Sequence, residues 1–133
     1  MGMAHTVARS AIKAMIEQGA RAEPEEACGL LLGTPERIEA AIPTRNVHPT
    51  PRTHFEIDPV ALIAAHKAER SGAQRIAGYW HSHPTGSTEP SATDRMNASG
   101  DGKVWAIVGA GMVTFWRDTP QGFVLLSTRI DAG

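Results

Sequence analysis

The chain has 133 residues, with 13 Lys and Arg against 14 Asp and Glu for a formal charge of −1. That length suits one domain able to bury about two thirds of its unfolded surface. The balanced charge gives no bulk electrostatic reason to expect nucleic acid or an anionic membrane as partner. The one cysteine, Cys28, cannot form an internal disulfide. No basic start leads into the apolar run of a secretory signal, and no apolar run approaches the ~20 residues needed to span a bilayer. The expectation is a single domain over residues 1–133 in the cytoplasm. Met1 to Thr6 matches the crude N-myristoylation pattern, which is discounted because no polybasic stretch supplies a second anchoring signal. An Arg-over-Lys bias and abundant Ala point to a bacterial source.

In chain order, His5 to Arg9 reads as a short strand. Ala8 to Ala20 reads as a helix with Ala8, Ile12, Met15 and Ile16 on one stripe and Gly19 near its end as a left-handed cap. Ala27 to Leu32 is a continuous apolar run, typical of a strand covered on both faces. Arg37 to Pro43 reads as another strand, and Thr44 to Thr53 as a loop rich in Pro and Arg. Asp58-Pro59 gives an N-cap and a proline at the first helical position, so Val60 to Ser71 is a helix closed by Gly72. Arg75 to Trp80 is a strand that carries on through His83 until Pro84 ends it. Ala92 to Ser99 is a short helix, and Lys103 to Gly109, Met112 to Arg117 and Phe123 to Ile130 are strands joined by tight turns. The predicted architecture is an α/β sandwich with a mixed sheet of roughly six to seven strands flanked by helices, mixed because the last connections are too short for parallel crossovers.

The chemistry concentrates in Gly78 to Asp94. Side chains alternate along a strand, so His81 and His83 share one face while Trp80 and Ser82 take the other. With Asp94 they make a three-ligand zinc set whose fourth position is left to water. Each part has a plainer reading. A His-x-His at a strand end is often a pair of hydrogen-bonded imidazoles, and Ser91-x-x-Asp94 has the spacing of a capping box. Glu26, at the edge of a buried strand, reads on position alone as its last solvated residue, a reading that the metal block downstream reverses. Cys28 reads as packing, and His48 and His54 as loop histidines without metal spacing.

Together these residues resemble the JAMM (MPN-plus) metalloprotease motif: an acid, then His-x-His, ten residues, then Asp, with a Ser three before that Asp. Glu26-Ala27-Cys28-Gly29-Leu30-Leu31-Leu32-Gly33 is similar to the family's Glu-x-Cys-Gly block. Gly78 to Pro84 with Pro90 to Asp94 is similar to its metal block. The resemblance covers nearly the whole chain and is nearest to the small bacterial single-domain members. It implies a fold related in architecture to cytidine deaminases, with one Zn2+ on His81, His83 and Asp94. It also implies Glu26 as the acid that relays the water's proton to the leaving amine and Ser91 as a donor to the oxyanion. The implied substrate is an amide bond after the C-terminal Gly-Gly of a ubiquitin-like or sulfur-carrier protein, joined to lysine or a small amine. The family's substrate-contacting insertions fall at the Thr44 to Thr53 loop. A second long insertion of the larger eukaryotic deubiquitinases corresponds here only to Arg95 to Gly102. A deaminase ligand set needs more cysteines than one, and a catalytically silent binding module of this fold would normally lack one of the site residues, all of which are present.

Overall fold

The computed structural model describes residues 5–34 and 36–132, so the Met1 to Ala4 part of the myristoylation-like pattern lies outside the described residues. Chain order runs β1 (His5–Ala8), α1 (Arg9–Ala22), β2 (Cys28–Thr34), β3 (Arg37–Thr44), α2 (Pro59–Arg70) and β4 (Ile76–Ser82). It continues with α3 (Ala92–Asn97), β5 (Val104–Gly109), β6 (Met112–Thr119), β7 (Gly122–Leu125) and β8 (Thr128–Asp131). All strands join one eight-stranded sheet in the order β7-β6-β5-β4-β2-β3-β1-β8. It is mixed as expected: β4 runs parallel to β5 and β1 parallel to both β3 and β8, while the remaining pairs are antiparallel.

The apolar runs behave as sequence periodicity requires. β5 is buried at every position, the signature of a central strand covered on both faces. On α1, Ala11, Met15 and Gly19 form the buried ridge, one residue every four, with Ile12 and Ile16 partly buried beside it. That ridge packs on Val7, Leu31, Ile38, Trp80, Val104 and Val108, and α1 touches β1, β3, β4, β5 and β6. Gly19 is not a cap, since α1 continues to Ala22. A Cβ there would stand 3.2 Å from the Cβ of Ser82, so the glycine lets the helix approach β4 closely. α2 begins as predicted, with Asp58 Oδ1 accepting from the Val60 N–H at 3.0 Å and Pro59 in the first turn. It buries no residue fully. No helix among the described residues is long and apolar enough to cross a membrane.

The predicted strand Phe123 to Ile130 is in fact two strands on opposite edges of the sheet. Its alternation is broken by Leu126, which turns into the core and donates its N–H to the Phe115 carbonyl at 2.8 Å. The next carbonyl, of Ser127, accepts from the His5 N–H at 2.8 Å. A two-residue link between the outermost strands requires a curled sheet, and the 2.9 Å contact between Arg117 Nη2 on β6 and His5 Nε2 on β1 lies across the seam. α1 fills the concave side.

Candidate metal centre

Register brings the site together. β2 runs antiparallel to β4 with Cys28 opposite His81, so Glu26, two residues upstream, falls beside the end of β4. The join is tied by the Ser82 N–H to the Ala27 carbonyl at 3.0 Å and the Ala27 N–H to Ser82 Oγ at 2.8 Å. β5 is parallel to β4, so the chain must cross over between them, and α3 sits in that crossover with Asp94 at its start. Gly29 lets the sheet pack at this end: a Cβ would stand 2.0 Å from the Ile42 carbonyl oxygen and 2.4 Å from Trp80 Nε1, where the indole N–H reaches that carbonyl at 3.3 Å.

His81 Nε2 and His83 Nε2 lie 3.0 Å apart, and Asp94 Oδ2 is 3.1 Å from the first and 3.0 Å from the second. All three residues are buried. Two nitrogens on a tetrahedral zinc at ~2.0 Å stand about 3.3 Å apart, so the cluster is within a small relaxation of a metal set. His83 Nδ1 meets the Ser87 carbonyl at 3.0 Å. A carbonyl only accepts, so Nδ1 carries the hydrogen and Nε2 offers a lone pair in the neutral ring, the usual arrangement of a ligating histidine. His81 Nδ1 is buried without a partner. Its ring stacks on Phe55 at 4.3 Å and 18° and meets the edge of Trp105 at 5.8 Å, so it is fixed by aromatic packing instead.

The electrostatics follow from burial and proximity. Burial raises the Asp94 carboxyl, but hydrogen bonds from His81 and His83 outweigh it and hold the group well below the carboxylate range. Burial lowers His81. In His83 the same penalty is overcome by the hydrogen bond and charge of Asp94, which raise it. Glu26 is buried with Oε1 unpartnered. Desolvation pushes its carboxyl from 4.5 to about 7, with His83 pulling it down and Asp94 pushing it up.

Ser91 and Asp94 also form the capping box: Ser91 Oγ accepts from the Asp94 N–H at 3.0 Å, and Asp94 Oδ2 accepts from the Ser91 N–H at 2.9 Å. The two readings of the motif coexist, because one carboxylate oxygen faces both the cap and the imidazoles. Ser91 Oγ spends a lone pair on the cap, leaving its proton available.

The structure brings His81, His83, Asp94 and Glu26 together, with Ser91 tied to Asp94 through the capping box. It leaves out His48 and His54, whose rings stack at 4.6 Å and are bridged by the Thr50 hydroxyl. Cys28 is also outside the cluster, with Sγ buried 3.6 Å from Thr44 Oγ1 and 3.7 Å from the Arg45 carbonyl. Burial pushes its thiol up to about 11, which suits packing. Sequence reasoning missed Phe55, Ser87 and Asn46. Ser87 acts through its carbonyl and so has no side-chain signal, and Asn46, which bonds the Glu26 carbonyl, has only backbone groups as partners.

A curled mixed sheet with a His-His-Asp cluster at the end of the central strand β4 is the arrangement expected of a hydrolase of the JAB/MPN class. The family profile of prokaryotic homologs of the JAB domain matches residues 8–119, and the chain belongs to that family. It is 35% identical over 128 residues to the desampylase of Haloferax volcanii, covering 93% of this chain and 92% of that protein. It is 47% identical over 79 residues, 59% of this chain and 52% of the relative, to a probable TtuB-protein conjugate cleaving protease of Thermus thermophilus. In fold it is similar to the crystal structure of a JAB1/MPN domain protein from Archaeoglobus fulgidus, with a TM-score of 0.61, 20% identity, and coverage of 96% of this chain and 99% of that one.

Proposed function

We propose that this protein is a zinc-dependent isopeptidase or peptidase that hydrolyses the amide bond after the C-terminal Gly-Gly of a ubiquitin-like or sulfur-carrier protein. The observation that carries the reading is the buried convergence of His81 Nε2, His83 Nε2 and Asp94 Oδ2 beside a buried, unpartnered carboxylate oxygen of Glu26. The names of the Haloferax and Thermus relatives support the substrate class. The domain is read as spanning residues 1–133, and the lone cysteine supports a cytoplasmic setting.

His81, His83 and Asp94 would hold the ion, which when bound supplies Lewis acidity and lowers the pKa of a water at its open position. Glu26, whose carboxylate oxygen is buried and unpartnered beside the ligands, would accept a proton from the attacking water and return it to the leaving amine. Ser91 donates its free hydroxyl proton to the carbonyl oxygen as negative charge develops there. His83 Nδ1–H to Ser87 fixes the ring on which the geometry depends. A tail of glycines, without side chains, reaches a site sunk between β2, β4 and α3 more closely than other residues can.

The test is a sulfur-carrier protein extended past its Gly-Gly by a short peptide, incubated with the zinc-loaded parent and compared with an Ala-Ala version. Cleavage after Gly-Gly alone, abolished by a chelator, is expected. Binding of both fusions without cleavage of either would replace this reading with that of a silent binding module.

A further inference from the structure

Glu26 lies outside the sheet ladder, since β2 begins at Cys28, and the Oε1 atom of its carboxylate has no partner. Its direction is therefore set chiefly by how its backbone is held. Both main-chain groups are held by the loop that follows β3: the Glu26 N–H donates to the Pro51 carbonyl at 2.8 Å, and the Glu26 carbonyl accepts from Asn46 Nδ2 at 3.0 Å. Asn46 also donates to the His54 carbonyl at 3.0 Å, and its Oδ1 accepts from the His48 N–H at 3.1 Å and the Glu56 N–H at 3.0 Å. Every hydrogen-bonding position of the carboxamide is used. The amide orientation is settled by chemistry, because a flip would set two donors against two N–H groups and an acceptor against two carbonyls. The bridge between Asn46 and Ile57 closes the loop, and Phe55 within it stacks on His81.

We propose that Asn46 is a positioning residue that locks the loop from Arg45 to Ile57 onto the Glu26 peptide and thereby aims the Glu26 carboxylate. The inference rests on the reading of Glu26 as the acid–base group. Asn46 touches none of the metal-binding side chains, and Phe55, which stacks on His81, keeps its own edge contact with Trp105, so the ligand set is expected to survive its loss. It releases one support of Glu26 and leaves two carbonyls, of Glu26 and His54, without donors.

The first readout needs no metal. Hydrogen exchange of the Glu26 amide in the metal-free Asn46→Ala variant is expected to quicken at least tenfold relative to the parent, with β5 amides unaffected; unchanged Glu26 exchange overturns the proposal. The second is a kinetic cycle of parent, Asn46→Ala, Glu26→Gln and the double variant on the Gly-Gly fusion. Asn46→Ala is expected to keep full zinc occupancy and KM while kcat falls tenfold or more, and to add nothing in the Glu26→Gln background. A lower melting temperature with unchanged kcat, or an additive loss in the double variant, overturns it. Asn46→Asp, which keeps both acceptor contacts, carries the same comparison if the alanine variant does not fold. Parental turnover in Glu26→Gln would instead bring down the underlying assignment of Glu26, an outcome distinct from a silent Asn46.

Discussion

Glu26→Gln separates the electrostatic cost of the acid from its chemistry. In the metal-free protein the Glu26 carboxyl is pushed from 4.5 to about 7, chiefly by desolvation. An acid whose folded pKa is raised holds its proton more tightly when folded. Its stabilising share is complete below 4.5 and is lost as pH rises through 7. At about 1.4 kcal/mol per pH unit the loss is about 3 kcal/mol, a large part of a small domain's stability. Glutamine keeps the shape and stays neutral at every pH. Urea unfolding of both proteins in excess chelator at pH 4.5, 6 and 8 checks this: the parent should fall behind the variant by about 3 kcal/mol between the first and last conditions. Any fixed cost of burying the amide cancels in the difference. A gap that does not change with pH would refute the argument that Glu26 is desolvated when the site is empty of metal. With zinc restored, the same variant should keep the fold and lose cleavage.

Asp94→Ala should abolish zinc binding in elemental analysis and lower the melting temperature too, because one carboxylate serves both the imidazoles and the cap of α3; retained zinc would reduce Asp94 to a cap. Ser91→Ala should keep the metal and slow turnover on the order of a hundredfold, with about 1 kcal/mol of stability lost with the cap; unaltered turnover would leave only the cap. Chelation should stop cleavage and leave the far-ultraviolet circular dichroism intact, because the core around Trp80, Met15 and Leu31 forms without the ion. Gly29→Ala should prevent stable folding, as its Cβ would overlap the Ile42 carbonyl; a soluble variant with parental unfolding would contradict the close packing of β2, β3 and Trp80.

The metal cluster was legible because its parts are local. His81 lies on β4 and His83 one residue past its end, and Asp94 opens the next helix, so all three fall within a short stretch of chain. Glu26 is different: its place depends on the antiparallel register of Cys28 with His81, a long-range fact that only the family resemblance anticipated. The last strand was misread because Phe123 to Ile130 looks continuous to a rule that counts alternation, and nothing local marks Leu126 as the residue that dives into the core. Gly19 was misread for a related reason. Near a helix end a cap and a close contact look alike, and only the position of Ser82 tells them apart. Asn46 was hidden because its partners are backbone groups on both sides of its own loop and across to Glu26.

The seam of the curled sheet bears on the order in which a chain leaving the ribosome can finish folding. Every residue of the candidate site, from Glu26 to Asp94, precedes β6, β7 and β8, whereas β1 waits for β8 to cover its second edge through the ladder from His5 with Thr128 to Ala8 with Asp131. Until that segment emerges, β1 offers bare N–H and C=O groups beside the α1 ridge, and an open edge of this kind recruits strands from other chains. A chain that stops before Thr128 would therefore hold all the candidate site residues yet leave the second edge of β1 unpaired.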